Sequence, residues 1–387
     1  MKKIIPYGKQ YIDANDINLV SKALKEEIIT TGTFVKKFEN KLVKFFKCKY
    51  SISCNSGTAA IHMALKAINC KEGDNIIMPS VNFISSYNLS ELLKLKIHLA
   101  DIDSSTGQIT QKTIDECIKR NNLKNIKAII IMYMGGYTYN IPEIYKFKKK
   151  LNCYIIEDAC HALGASYTYK KNKYMVGSCK HADISTFSLH PVKSITSGEG
   201  GILTTNNFSF YKNALGFKSH NLIKNSYKHW IYNIKEIGLN YRLSDINCAL
   251  AISQLKKINN FILKRKKIYS MYISLFKKFN IKNLKYLKVD LSSNPSFHLF
   301  IIFIDFRKIK KKKEDLINFL KKNDIVVQYH YIPIYKFDIF KKKNKNLISN
   351  FNGSETYYET ALSLPIYYEL TINQQYKVVN MINKFLK

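Results

Sequence analysis

The sequence predicts an α/β fold: a large domain with a central, mostly parallel sheet covered by helices, followed by a small α+β C-terminal domain. Three observations predict it. Short apolar runs recur between turn residues or charges, helix-length stretches separate them, and past residue 246 the pattern changes to one long helix followed by mixed strands and helix. Strand–helix alternation of this kind belongs to parallel sheets covered on both faces. A chain of 387 residues exceeds the usual single core, so roughly two domains are expected, divided as 1–246 and 247–387.

In chain order, residues 13–47 carry helical spacing in two segments (Ile17, Val20, Leu24; then Phe38, Leu42, Phe45, Phe46), broken at Thr30-Thr31-Gly32-Thr33. Strands are expected at Tyr50–Cys54, Ile76–Met78, Lys96–Leu99, Ala128–Met132 and Cys153–Ile156. Residues 247–279 read as one helix, with Ile252, Leu255, Ile258 and Ile262 at helical spacing. The tail adds strands at Phe297–Phe306 and Ile325–Tyr331 and a helix at Lys311–Leu320. Tyr137, Tyr139, Tyr167 and Tyr169 read as surface or interface residues.

Composition narrows the function. Hydrophobic content of 46% supplies a core, and no apolar run reaches the ~20 residues of a membrane-spanning helix. The N-terminus lacks the apolar stretch of a signal peptide. Eight cysteines are scattered without a Cys-x-x-Cys pair or a zinc spacing, so they read as reduced thiols of a cytoplasmic protein with no metal site. The net charge of +34 raises the possibility of a polyanion binder. Yet of 62 basic residues only Arg120, Arg242, Arg265 and Arg307 are arginine, whereas nucleic-acid sites favour the arginine fork. The lysines are also spread along the chain rather than gathered in a patch, and the densest run, Lys308 to Lys313, reads as a solvated loop or helix start.

Four segments at the ends of expected strands carry chemistry. The first, Phe187-Ser-Leu-His-Pro-Val-Lys193-Ser-Ile-Thr-Ser-Gly198-Glu-Gly-Gly201, sets one lysine between a Ser/His segment and a glycine turn. A lysine that forms a Schiff base must be held rigidly and be able to lose its proton. Asn55-Ser56-Gly57-Thr58-Ala59-Ala60 follows a strand and opens a helix, which makes it either an ordinary N-cap or a phosphate cradle. In Ile155-Ile156-Glu157-Asp158-Ala159-Cys160-His161, Asp158 either caps the following turn or pairs with a protonated ring nitrogen at the carboxyl edge of the sheet. Phe83, in Pro79-Ser-Val-Asn-Phe83, is either a core residue or a ring that stacks on a flat ligand. Ser188 adds a second hydroxyl. Phosphate cradle, carboxylate, stacking ring and Schiff-base lysine together match pyridoxal 5′-phosphate (PLP).

These motifs resemble the DegT/StrS-type sugar aminotransferases, which are similar to aspartate aminotransferase in fold (PLP fold type I). The matches include Lys193 with Gly198-Glu-Gly-Gly201, Asn55-Ser-Gly-Thr58, Glu157-Asp-Ala-x-x-Ala-Leu-Gly164, Pro79-x-x-x-Phe83 and Gly238-Leu-Asn240-Tyr-Arg242. Two positions depart from the usual pattern: Ile131-Met132-Tyr-Met-Gly135 stands for Val-His-x-x-Gly, and Asn221 follows His220 in place of Gly. The resemblance implies that Lys193 carries the Schiff base and moves the proton, that Asp158 pairs with the pyridine nitrogen, and that His161 sits near the ring hydroxyl. It further implies that Gly57, Thr58 and Ser188 bind the phosphate and that Phe83 stacks on the ring. Asn240 is implied to reach the cofactor of the other subunit, hence a homodimer with shared active sites.

His161 and the segments around Asn240 and Gln328-Tyr-His330-Tyr331-Ile-Pro333 resemble one subgroup in particular. Its substrates are UDP-linked 4-keto-6-deoxy-N-acetylhexosamines, with L-glutamate as donor, on the route to pseudaminic acid and surface glycans. His330, Tyr331 and His220 are then substrate-binding candidates. The alternative is another nucleotide-sugar 3- or 4-aminotransferase, of the perosamine or viosamine type. Sugar dehydratases of the same family replace the lysine by histidine; here Lys193 is intact and His190 lies three residues away.

Overall fold

The computed structural model describes residues 4–225, 227–228, 230–234, 236–343 and 351–387. After helices α1 (Ala14–Leu24) and α2 (Thr33–Phe46), the chain lays down β1 (Tyr50–Cys54), β2 (Asn75–Pro79), β3 (Lys96–Ala100), β4 (Ile126–Met132) and β5 (Tyr154–Asp158). Between them run α3 (Gly57–Ala67), α4 (Ser85–Leu92), α5 (Gln111–Arg120) and α6 (Ile141–Leu151). A hairpin of β6 (Ser166–Tyr169) and β7 (Asn172–Met175) precedes β8 (Ile184–Ser188) and β9 (Gly201–Thr205). The seven central strands take the order β1-β9-β8-β5-β4-β2-β3. All run parallel except β9, which pairs antiparallel with both β1 and β8.

The near-continuous apolar runs in these strands follow from burial on both faces. In β4, Ile129 and Ile131 point to one apolar cluster while Ala128 and Ile130 point to the other; Ile155 and Ile156 of β5 divide the same way. Helix α3 lies over the second face with nine of its eleven residues buried. It comes so close that a Cβ on Gly57 would meet the Ser188 Cβ at 2.9 Å and the Cys160 Sγ at 3.2 Å, so only glycine fits there.

Beyond α7 (Phe208–Lys218) and the short hairpin β10 (Leu222–Lys224) and β11 (Tyr232–Ile234), the 34-residue α8 (Asp245–Lys278) crosses the first face. It leads to a small antiparallel sheet of β12 (Leu284–Tyr286), β14 (Phe300–Ile304) and β15 (Ala361–Leu364), while β13 (Ser293–Asn294) extends the β6–β7 hairpin. Helices α9 (Lys313–Lys322), α10 (Asp338–Lys343), α11 (Asn352–Thr360) and α12 (Ile372–Leu386) complete the chain. The expected boundary at 246 falls in the first turn of α8.

Two expectations are corrected. The segment Ile325–Tyr331 is not a strand: its backbone pairs only where Ile325 meets Ile5 and Gln328 meets Ser363. Its apolar start looked like a strand, but Tyr329–Ile332 leave the ladder to line a cavity. Tyr137 and Tyr167 are core residues at 0% and 4% exposure. The Tyr167 hydroxyl is accommodated by His181 Nδ1 at 2.7 Å.

One anchor joins distant parts of the chain. Helix α2 has Gly32 at its N-cap and no side-chain cap of its own. The fully buried Asp245 of α8 accepts hydrogen bonds from the backbone N–H groups of Gly32 (2.7 Å), Phe34 (2.7 Å) and Val35 (3.2 Å). A carboxylate at a helix N-terminus satisfies orphan donors and complements the helix dipole. A Cβ at Gly32 would lie 2.9 Å from both Asp245 Oδ1 and the Ile28 carbonyl oxygen, so the approach requires glycine. Asp245→Ala is expected to lower the unfolding free energy by about 2–3 kcal/mol, since buried N–H groups lose a charged acceptor. Asp245→Asn, which keeps one acceptor oxygen, should lose about half of that. Chemical denaturation measures both, and an unchanged midpoint for the alanine variant would rule out this cap.

Candidate active site

The carboxyl ends of β1, β2, β4, β5 and β8 converge on a cavity of about 600 Å³, where ligands bind in parallel α/β sheets. Gly57, Thr58, Phe83, Asp158, His161, Ser188, Lys193, His330 and Tyr331 all line it. Four of these segments, far apart in sequence, meet because their strands share one sheet, and His330 and Tyr331 join them from a segment outside any strand.

At one end, Ser56 caps α3 by accepting from the Ala59 N–H at 3.0 Å, leaving the N–H groups of the first turn directed at the cavity. Thr58 Oγ1 is 2.9 Å from Ser85 Oγ, and Ser188 Oγ accepts from the His190 N–H at 3.3 Å. Hydroxyls and a helix N-terminus together make an anion-binding corner.

In the middle, Asp158 ends β5 at 3% exposure and accepts from the Cys160 N–H at 3.3 Å. Burial raises its pKa, while hydrogen bonding to Cys160 and the charge of Lys193 oppose that rise. Lys193 is half-buried in the cavity wall. Burial lowers its pKa below the usual lysine value, against the pull of Cys160 and Asp158. Phe83 is not a core residue: at 52% exposure its ring faces the cavity beside Tyr331, 5.6 Å between centroids.

Opposite stands a wall of histidines. His161 packs on His298 at 4.2 Å and on His330 at 6.0 Å between centroids. Burial, with Lys193 nearby, holds His161 and His298 well below the usual histidine range and pulls His330 down to about 3. All three rings are therefore neutral near pH 7. His330 Nδ1 meets Ser363 Oγ at 2.9 Å, whereas His298 Nδ1 is enclosed without a partner among the described residues.

Asn240 and His220 lie outside this cavity. Ser219 and Asn240 form a bridge pair, the His220 N–H donates to the Leu239 carbonyl at 3.1 Å, and Asn240 is exposed beside Asn55. Tyr7, Asn82, Ser85 and His298 line the cavity without having been singled out. Asn82 and Ser85 sit inside the motif around Phe83 and were within reach of sequence reading. Tyr7 and His298 arrive from distant segments with no local pattern to mark them.

The chain matches the model of the DegT/DnrJ/EryC1/StrS aminotransferase family over residues 10–383. It is 35% identical over 369 residues to a UDP-4-amino-4,6-dideoxy-N-acetyl-beta-L-altrosamine transaminase of Campylobacter jejuni, covering 95% of this chain and 94% of that one. It is 29% identical over 386 residues to GDP-perosamine synthase of Escherichia coli O157:H7, covering 99% of each. Among solved structures it resembles Helicobacter pylori PseC, an aminotransferase of pseudoaminic acid biosynthesis, with a TM-score of 0.90, 26% identity and 99% of each chain covered. The sheet, the cavity at its carboxyl edge and these likenesses agree: the chain belongs to the DegT/DnrJ/EryC1/StrS aminotransferase family, PLP-dependent enzymes of fold type I.

Proposed function

We propose that this aminotransferase moves the amino group of L-glutamate to the C4 ketone of a UDP-linked 4-keto-6-deoxy-N-acetylhexosamine, for a surface glycan of the pseudaminic acid type. The observation that carries the chemistry is Lys193 beside Asp158 in one cavity, each shifted toward its neutral form by burial. The similarity to the altrosamine transaminase and to PseC supports the substrate.

The cavity residues fit PLP. The first turn of α3, with Gly57, Thr58 and Ser188, suits the phosphate; Asp158 suits the ring nitrogen; Phe83 offers a face for stacking. Lys193 is the Schiff-base partner. When bound, PLP supplies an electron sink for the bond electrons released at the substrate carbon. Lys193, its pKa lowered by burial, gives up its proton more readily than a surface lysine and so can take a proton from one carbon and return it to another. Asp158, in which hydrogen bonding to Cys160 and the neighbouring Lys193 oppose the rise that burial causes, is the carboxyl group that would face the ring nitrogen and hold a proton there. The neutral wall of His161, His330 and Tyr331 orients the ligand without adding charge, and His220 remains a substrate-binding candidate outside the cavity. Residues 1–246 form the cofactor-binding part, and 247–387 supply the wall from Gln328 to Tyr331. The working form in this reading is a cytoplasmic homodimer, in which Asn240 acts in the partner's cavity. Its exposure outside its own cavity is consistent with that. The perosamine-type alternative draws on the likeness to GDP-perosamine synthase.

Three outcomes are expected. Lys193→Ala should lose roughly 100- to 10,000-fold or more of its turnover, and borohydride should no longer trap a cofactor adduct at position 193 by peptide mass mapping; retained turnover would sink the assignment. Offered glutamate with a panel of nucleotide-linked 4-keto sugars, the enzyme should aminate the UDP-N-acetyl substrate at C4; preference for a GDP-linked sugar would move the reading to the perosamine type. Mixing inactive Lys193→Ala with inactive Asn240→Ala should restore about a quarter of wild-type activity, because half the reassorted dimers hold one intact shared site. No recovery after subunit exchange would argue against shared sites.

A further inference from the structure

His161 has both ring nitrogens engaged before any ligand arrives. The backbone N–H of Gly135 donates to His161 Nδ1 at 3.4 Å. An amide N–H can only donate, so Nδ1 carries the lone pair and the proton of the neutral ring resides on Nε2. That Nε2 lies 2.9 Å from the Tyr331 hydroxyl. His161 therefore donates, the Tyr331 oxygen accepts, and the phenolic proton of Tyr331 must point elsewhere.

The residue is fixed in this pose. The His161 carbonyl accepts from Ser296 Oγ at 2.7 Å, and the ring packs on His298. Tyr331 is half-buried on the cavity wall, beside Phe83 and close to Asp158 and Cys160. Its O–H is thus free to donate into the cavity, which Asp158 also lines, while His161 has no donor left to offer.

We propose that Tyr331, rather than His161, donates the hydrogen bond to the ring oxygen of the bound cofactor, with His161 as the positioning residue that aims it. The proposal rests on the cofactor placement given under Proposed function. It goes beyond that reading by exchanging the parts of two residues: Tyr331 touches the cofactor, and His161 acts through Tyr331.

The test is a pH titration of the visible absorbance of the holoenzyme, in wild type, Tyr331→Phe, His161→Leu and the double variant. A donor on the ring oxygen withdraws negative charge from beside the lysine linkage, so its loss favours the protonated linkage. Tyr331→Phe should raise the apparent pKa of the band by about one unit, a tenfold change in proton affinity. His161→Leu should raise it by less. The double variant should move no further than Tyr331→Phe, because a residue acting only through Tyr331 has nothing left to aim. An unmoved pKa in Tyr331→Phe, or two single shifts that add, overturns the proposal. Should Tyr331→Phe fail to hold the cofactor, 15N-histidine NMR of the wild-type holoenzyme decides: His161 protonated at Nε2 alone supports it, and protonation at Nδ1 overturns it. Absence of a borohydride-trapped adduct at Lys193 would instead defeat the underlying cofactor reading, so the two failures are distinguishable.

Discussion

Everything in the cavity depends on one acid and one amine held together where water is scarce. Burial alone would protonate Asp158 and deprotonate Lys193, and each counters that tendency in the other. The outcome is a lysine that gives up its proton more readily than a surface lysine and a carboxylate that remains a useful partner for a cation. Neither property is available on a solvated surface, where most of the other described lysines of this basic chain lie; Lys218 and Lys313 are buried elsewhere. The histidine wall extends the same logic: three rings kept neutral by enclosure add hydrogen-bonding capacity without disturbing the charge pair.

The scaffold meets this requirement by topology. Parallel strands bring their carboxyl ends to one edge, so Thr58, Phe83, Asp158 and Ser188 need only follow their strands to become neighbours. Close approach of α3 to β8 through Gly57 brings the anion corner against the Lys193 loop. On the far side of the strand from Asp158, Glu157 is buried and accepts from the Tyr133 hydroxyl at 2.5 Å and from the Ser185 hydroxyl. Consecutive acids of one strand thus serve opposite faces, one structural and one open to the cavity.

Much of this was legible in the sequence because it is written locally. Short apolar runs bounded by turn residues or charges mark β4 and β5, helical spacing fixes α8 to within two residues at either end, and the motif around Lys193 stands out against 387 residues by its glycines. What escaped depends on contacts rather than composition. Ile325-Val326-Val327 has the residues of a strand, but pairing partners exist at only two points. The tyrosines at 137 and 167 looked like surface residues because a hydroxyl says nothing about whether a partner or an enclosing core awaits it. Tyr7 and His298 join the cavity from segments far apart in the chain, and Asp245 caps a helix that begins more than two hundred residues earlier.

That last contact constrains how the molecule comes into being. The first turn of α2 finds its acceptor 213 positions later, and Ile5 is bridged to Ile325. A growing chain emerging from the ribosome therefore has α2 waiting with an uncapped first turn, and α1 and α2 with bare apolar faces, until most of the polypeptide has been made. Long-range closures of this kind slow assembly and lengthen exposure to aggregation. The abundant like charge on the surface opposes association during that interval.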